Sequence, residues 1–289
     1  MKNSIEYILF ITLSYVFRLT GLKFARKFSN VIAFIFYNFI PIRKEVVFDN
    51  LKHAFPNYSK EKIQEIAYNS YKSFCLALAE ILYMPWLTEE ELKKIMICKN
   101  RNLIVERLNE GNGVILLSAH FGNWEYLATS VAAQINQKFY VVVKPQRNPF
   151  VDSWMNKART RWTNEIVPLG VSIRQIFSVL LSKGIVAMVA DQRGPKESIK
   201  LNFFGRLTSV YTGPAVLSLK TNSPIIYGIS TRRDDLNYDV DLIEVDRSNL
   251  PENQEDKIKV LSERMIKVLE DVISKNPEQW LWMHKRWKH

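Results

Sequence analysis

Apolar runs of strand length alternate with segments of helical periodicity from about residue 110 to the end of the chain. Short apolar runs bounded by turn residues are typical of buried strands, and i, i+3, i+4 spacing is typical of helices. The predicted strands are 114–118, 139–144, 165–169, 184–191, 223–230 and an edge strand at 238–245. The predicted helices are 123–136, 149–162, 172–182, 209–221, 254–274 and 277–287. This alternation predicts an α/β fold, with a central mixed sheet flanked by helices.

The first half of the chain reads as helical. Ser59 is a plausible N-cap for a helix reaching Met84, residues 88–91 form a capping box, and a further helix is expected at 101–109. Two apolar segments, 7–17 and 31–42, precede these helices. The first is shorter than the ~20 residues that span a bilayer comfortably.

Basic residues surround these two apolar segments. Lys23, Arg26 and Lys27 lie between them, and Arg43 and Lys44 follow. Aromatic-rich apolar segments between basic clusters favour helices in a membrane interface or a short snorkelling span, and two core helices are the alternative. We therefore divide the chain into membrane-anchoring helices at 1–42 and one large domain at 43–289.

The overall charge is strongly basic. Lysine and arginine number 40 against 29 acidic residues, a net charge of +11, which favours nucleic acid, anionic lipid or phosphorylated substrates as partners. The mean hydropathy of −0.12 excludes a polytopic membrane protein. No helix-turn-helix or aromatic RNA-binding motif is visible, which argues against nucleic acid. Cys75 and Cys98 form no metal or redox motif and are expected to be buried thiols.

A histidine and a glutamate follow the first strand of the alternating region. His120 lies just past that strand, and Glu125 falls in the first turn of the next helix, with Gly122 permitting a tight turn between them. Ligands of α/β sheets bind beyond the carboxyl ends of the strands, where Asp191 is also expected. An imidazole held by a carboxylate can act as a general base on a hydroxyl.

Other interpretations remain open at this point. A histidine followed by a glutamate also occurs by chance, and the same pair could activate water in a thioesterase or lipid hydrolase. No G-x-S-x-G nucleophile motif is present, and histidines at 53, 120, 284 and 289 match no zinc spacing, so no metal is expected. A basic membrane-binding or nucleic-acid-binding module without catalysis is the third possibility.

Four blocks in succession resemble one family, the bacterial lipid A biosynthesis acyltransferases (lauroyl and myristoyl transferases). This family lies within the lysophospholipid and glycerol-phosphate acyltransferase superfamily. "SAHFGNWE" matches its H-x4-[D/E] signature, and "VVVKPQRNPFVDSWMNKARTRW" matches the block that bears a functional arginine. "VAMVADQRGP" and "PEQWLWMHKRWK" match two later blocks. The order of the four is that of the family, and together they are specific.

The resemblance implies a glycerol-phosphate acyltransferase-like fold and an O-acyltransferase. A fatty acyl chain would pass from an acyl carrier protein or coenzyme A thioester to a hydroxyl of a glycolipid, a lipid A precursor first among the candidates. Another glycolipid or a phospholipid is the alternative acceptor. No bound cofactor is expected. The enzyme would work at the anionic cytoplasmic face of the bacterial inner membrane, as a peripheral protein or through a single N-terminal helix.

The resemblance also suggests roles for individual residues. His120 would be the general base and Glu125 its orienting partner, with an oxyanion stabilised by backbone N–H groups near Gly122 or by a basic side chain. Of Arg159 and Arg161, one would bind an acceptor phosphate and the other would pair with Asp191. Asp191 is interpreted as structural or substrate-orienting. In the C-terminal block, tryptophans would contact lipid headgroups or close the core, and His284 is not expected to be catalytic.

Overall fold

A computed structural model describes residues 2–170 and 173–288 of the chain. Helices occupy about half of these residues, and strands are concentrated after residue 95. The helices are α1 Lys2–Thr20, α2 Leu22–Asn38, α3 Lys44–Ala54, α4 Lys60–Tyr83, α5 Glu89–Ile95, α6 Asn102–Asn109, α7 Trp124–Ile135, α8 Pro149–Arg159, α9 Ile173–Leu181, α10 Gly213–Thr221 and α11 Gln254–Lys275. The strands are β1 Met96–Cys98, β2 Val114–Ser118, β3 Phe139–Val143, β4 Glu165–Pro168, β5 Ile185–Val189, β6 Lys200–Phe203, β7 Arg206–Ser209, β8 Ile225–Arg232 and β9 Tyr238–Glu244.

Within the described ranges, seven strands form one mixed sheet in the order β1-β9-β8-β2-β5-β3-β4. β8 and β9 are antiparallel, and the other neighbours run parallel. This confirms the predicted α/β fold with a mixed central sheet. β6 and β7 form a separate antiparallel hairpin that the sequence did not predict.

Both faces of the sheet are covered, as the continuous apolar character of β2 requires. Ile115 and Leu117 point to one side and join residues of α4 and α11. Val114 and Leu116 point to the other side and join residues of α5 and α7. The sheet therefore lies at the centre of the molecule between two helical layers.

Local signals determined several helix ends correctly. Ser59 accepts a hydrogen bond from the amide of Lys62 and begins α4. Thr88 and Glu91 form the predicted capping box at the start of α5. Asn123 caps α7 through the amide of Tyr126, at 3.0 Å. Each of these side chains satisfies an amide that a helix end leaves unpaired.

Three predicted elements differ from the structure in position, extent or type. Residues 238–245 were predicted as an edge strand, but β9 lies inside the sheet because the short strand β1 covers its outer side. The predicted helix 277–287 is only a 3₁₀ turn, Pro277–Gln279, followed by a non-helical segment. The predicted helix 209–221 begins four residues later, because Ser209 belongs to β7. Ser172, the predicted start of α9, lies outside the described residues.

α1 packs against α4 and α8, and α2 packs against α1 and α4. Phe17 and Ala25 are buried with Leu82, and the ring of Phe10 meets Trp154 edge-on at 4.9 Å. Among the described residues, no helix combines the length and apolar character needed to cross a bilayer. The N-terminal segment is helical as predicted, and its spanning of a membrane is not supported.

Candidate active site

Two neighbouring parallel strands bring His120 and Asp191 together. β2 pairs with β5 in a register that sets Ser118 opposite Val189, and His120 and Asp191 each lie two residues further on. The carboxyl ends of parallel strands meet at the same edge of a sheet, where α/β proteins bind ligands. Residues 71 positions apart in the chain are thus in contact.

The imidazole of His120 is hydrogen-bonded to the carboxylate of Asp191. His120 Nδ1 lies 2.7 Å from Asp191 Oδ1, and the backbone N–H of His120 donates to Asp191 Oδ2 at 3.0 Å. Because an ionised carboxylate only accepts hydrogen bonds, Nδ1 carries the proton. Nε2 is then the acceptor, the state in which an imidazole serves as a base.

The two groups shift each other's pKa. Burial lowers the pKa of His120, but the charge and hydrogen bond of Asp191, with a contribution from the charge of Glu125, outweigh it and raise that pKa above its ordinary value. Burial raises the pKa of Asp191, but the charge of His120 and hydrogen bonds from His120 and Trp280 hold it below its ordinary value. The pair therefore favours an ionised Asp191.

Glu125 does not bond the imidazole, so its predicted pairing with His120 is wrong. Its two oxygens accept hydrogen bonds from Arg159 Nε at 2.8 Å and Nη2 at 2.6 Å. Glu125 lies in the first turn of α7 and Arg159 is the last residue of α8. Each charge suits the dipole of its own helix end, and the ion pair joins the two ends.

Neither arginine pairs with Asp191, which corrects the second predicted contact. Arg159 is buried, and its Nη1 donates a third hydrogen bond, to Asn156 Oδ1 at 3.0 Å. Arg161 is exposed and donates hydrogen bonds to the backbone carbonyls of Pro85 and Leu87. These contacts fix the end of α8 against neighbouring segments.

Gly122 makes the tight turn that the sequence predicted. Its φ is +57°, and a Cβ atom there would lie 1.8 Å from the carbonyl oxygen of Ser230. A glycine is therefore required by both the backbone angle and the space. The N–H of Gly122 donates to the carbonyl of Gln279 at 3.0 Å.

A small surface recess lies beside the imidazole and is lined by His120, Gly122 and Trp124. The side chain of His120 is 21% exposed, and its ring lies 5.0 Å from the ring of Trp124. Ser70, Ser73 and Phe74 of α4 also line the recess. The site thus combines a hydrogen-bonded imidazole with a lining that is partly polar and partly apolar.

Comparison with known proteins identifies a family. A family model described as bacterial lipid A biosynthesis acyltransferase matches residues 2–289. The chain belongs to this family. It is an acyltransferase.

Curated relatives are similar over most of their length. The lipid A biosynthesis palmitoleoyltransferase of Escherichia coli (strain K12) is 22% identical over 86% of this chain and 80% of its own length. The lauroyltransferase of the same strain is 21% identical over the same shares. The lipid A biosynthesis acyltransferase of Haemophilus influenzae is 22% identical over 83% of this chain and 75% of its own.

The C-terminal segment of this acyltransferase contacts the site in a way that the sequence did not reveal. Trp280 is buried and donates its indole N–H to Asp191 Oδ2 at 2.8 Å. The N–H of Leu281 donates to the carbonyl of His120 at 3.0 Å, next to the bridge between Phe121 and Trp280. Trp280 and His120 are far apart in the chain, so the sequence alone does not indicate that they are close in space.

The tryptophans at 280, 282 and 287 are all buried. The predicted headgroup contact of this segment is therefore wrong, and the core alternative is correct. His284 accepts a hydrogen bond from the N–H of Arg193 at 3.2 Å, and burial lowers its pKa to about 4. Cys75 and Cys98 are buried free thiols as expected, and burial raises the pKa of each to about 12.

Glu80 connects the N-terminal helices to the turn that follows His120. It is completely buried and accepts hydrogen bonds from Arg26 Nε at 2.8 Å, from Asn123 Nδ2 at 2.9 Å and from the hydroxyl of Tyr238 at 2.6 Å. Arg26 belongs to α2 and Asn123 is the N-cap of α7. One carboxylate on α4 therefore holds three parts of the molecule together.

Proposed function

We propose that this acyltransferase moves a fatty acyl chain from an acyl carrier protein or coenzyme A thioester to a hydroxyl of a lipid A precursor. The observation that carries the proposal is the contact of His120 with Asp191 beside a small surface recess, in a chain of the lipid A acyltransferase family. The names of the relatives support lipid A as the acceptor class.

In this proposal His120 Nε2 removes the proton of the acceptor hydroxyl as its oxygen attacks the thioester carbonyl carbon. A C–O bond forms, and the negative charge moves to the carbonyl oxygen. The C–S bond then breaks, and the thiolate takes the proton from His120. Asp191 fixes the tautomer and stabilises the imidazolium between these steps, and general-base catalysis of this kind contributes ~10²–10⁴-fold in rate.

Glu125 and Arg159 have a bracing role in this proposal. Their ion pair is largely buried, with both carboxylate oxygens engaged. The charge of Glu125 also contributes to the raised pKa of His120. The pair therefore acts on the base through position and field, and the bidentate contact supports a fixed geometry.

We further propose that α1 and α2 lie on the cytoplasmic face of the bacterial inner membrane. Their outward side exposes large apolar residues, including Leu9 at 67%, Leu19 at 85% and, just after α2, Phe39 at 71%. Lys23 and Lys27 are exposed near this surface. An apolar face beside basic residues suits an interfacial helix pair on anionic lipid.

The experiment uses a radiolabelled lauroyl or palmitoleoyl thioester of acyl carrier protein, with a lipid A precursor in mixed micelles. We expect label in the glycolipid with the wild-type protein, and a loss of at least ~10²-fold in kcat with His120→Ala. Label appearing as free fatty acid instead would indicate a hydrolase. Full transfer by His120→Ala, with an unchanged melting temperature, would contradict the assignment of the base.

A further inference from the structure

The thioester carbonyl oxygen gains negative charge during acyl transfer. Acyl transfer needs a hydrogen-bond donor about 3 Å from the developing oxyanion. The sequence left two sources, the backbone N–H groups near Gly122 and a basic side chain. The structure shows which groups these N–H donors already contact.

The backbone N–H groups near Gly122 are already hydrogen-bonded within the protein. Four consecutive amides after β2 all donate within the protein, at 2.7–3.1 Å. They belong to His120, Phe121, Gly122 and Asn123 and donate to Asp191, Ala119, Gln279 and Ser230 respectively. Using any of them for substrate would break a buried hydrogen bond of the turn.

The guanidinium of Arg159 is also hydrogen-bonded within the protein. Its Nε and Nη2 donate to the two oxygens of Glu125, and its Nη1 donates to Asn156. Its side chain is 8% exposed. Arg159 therefore uses three of its five N–H donors within the protein and exposes little of its guanidinium to the site.

Gln192, the residue after Asp191, lies at the reacting nitrogen. Its side-chain Nε2 is 3.5 Å from His120 Nε2, and the residue is only half-buried. Because His120 Nδ1 carries the proton for Asp191, Nε2 offers a lone pair, and it is the amide NH₂ of Gln192, not its oxygen, that faces it. At this length the hydrogen bond is weak, so an acceptor hydroxyl can displace it.

We propose that Gln192 is a catalytic residue whose amide donates a hydrogen bond to the thioester carbonyl oxygen as negative charge develops there. The proposal rests on the assignment of His120 as the base. In the resting site the amide covers Nε2. When the acceptor hydroxyl takes its place, the NH₂ group stays beside the attacked carbonyl, whose oxygen becomes the oxyanion while the proton moves to Nε2.

Gln192→Met tests the donor without adding charge. Loss of one oxyanion donor costs ~10²–10³-fold in kcat, and KM should change little because the bond strengthens only in the transition state. Acyl transfer from lauroyl-acyl carrier protein to the lipid A precursor gives kcat and KM, and thermal unfolding checks the fold. A wild-type kcat would overturn the proposal, and so would a change confined to KM.

Gln192→Glu adds a second readout. A carboxylate at this distance cannot donate, and it stabilises protonated His120, so the acidic limb of kcat/KM should move to higher pH while kcat falls. Gln137→Glu makes the same change at an exposed position. It should neither move the acidic limb of kcat/KM nor lower kcat. A Gln192→Glu profile that coincides with that of wild type would contradict the contact with His120.

Arg193 is the competing donor, because its Nη1 is buried without a partner among the described residues. We expect Arg193→Met to retain a kcat well above that of Gln192→Met. The reverse order would assign the oxyanion to Arg193 and overturn the proposal. Retained transfer by His120→Ala would instead remove the proposed base, a result distinct from failure of the Gln192 variants alone.

Discussion

Asp191 accepts three hydrogen bonds from two residues, and this sets the orientation of the imidazole. Two come from His120, through its backbone N–H and Nδ1, and one comes from the indole of Trp280. Asparagine has nearly the same shape, but its NH₂ group would present a donor to Nδ1. The proton would then be displaced towards Nε2, and the base would be lost.

We therefore expect Asp191→Asn to lower kcat by ~10²–10⁴-fold. The pH profile should also change in a defined direction. The charge of Asp191 raises the pKa of His120 while burial lowers it, so without that charge the pKa falls. Since the neutral imidazole is the base, the acidic limb of kcat/KM should move to lower pH.

Glu125→Gln is the control for this measurement. The charge of Glu125 also raises the pKa of His120, but it makes the smaller contribution and no hydrogen bond to the ring. The acidic limb of kcat/KM should therefore move less with Glu125→Gln than with Asp191→Asn. A larger shift with Glu125→Gln would contradict the assignment of Asp191 as the partner.

Trp280 and Trp282 offer a matched pair of substitutions. Both are buried, and each indole N–H donates one hydrogen bond, to Asp191 and to the carbonyl of Pro277 respectively. Replacing either by phenylalanine removes one bond and some packing, so both should lose about 1–3 kcal/mol in the free energy of unfolding. Only Trp280→Phe should also lower kcat, and equal kcat values in the two variants would rule out a special role for Trp280.

The individual residues of the site could be predicted only in part. His120 and Asp191 were located because each follows an apolar strand, and Gly122 because a strand-to-helix turn needs it. The partner of His120 was wrong because spacing along the chain favoured Glu125. The true partner depends on which strands are neighbours, and no local pattern in the sequence contains the pairing of β2 with β5.

At the scale of the elements, periodicity and caps were informative where an element is regular. β2 was predicted with its observed ends, Val114–Ser118, and α11 within one residue of its observed end at Lys275. β1 was missed because its three residues carry too little pattern. The C-terminal segment has an apolar pattern that suits a helix, but its hydrogen bonds to the His120 turn hold it in a non-helical form.

α4 gives a prediction about how elements are held together. Glu80→Gln removes the charge that faces Arg26 inside the protein, and breaking a buried ion pair costs about 3–5 kcal/mol in the free energy of unfolding. Glu65→Gln, on the same helix, breaks an exposed pair with Lys62 and should cost ~0–1 kcal/mol. Urea unfolding of the two variants measures the difference, and similar losses would contradict the role assigned to Glu80.

For the molecule as a whole, the exposed apolar surface of α1, α2 and the residues that follow predicts binding to lipid. Because the inner side of these helices is packed on α4, substitutions on the outer side test it without removing the core. Each apolar side chain that leaves lipid costs ~1.5–3 kcal/mol. The triple variant Leu9→Glu, Leu19→Glu and Phe39→Glu should therefore bind vesicles at least ~10²-fold more weakly.

The control adds the same charge elsewhere, with Gln137→Glu, Ser182→Glu and Ser248→Glu at exposed positions. Co-sedimentation with phosphatidylglycerol and phosphatidylethanolamine vesicles gives the partition coefficient of each protein. Equal coefficients for the two triple variants would mean that these apolar residues do not touch lipid.

The pairing of β2 with β5 also decides what happens if the chain is divided. Residues 144–147 are exposed between β3 and α8, and a cut there leaves His120 on one fragment and Asp191 on the other. β2 pairs with β5 and β8, and β3 with β4 and β5, so the two fragments would have to rebuild a shared sheet before either strand end met its counterpart. Coexpressed as separate polypeptides, they would form a split enzyme whose turnover reports that the fragments have reassociated.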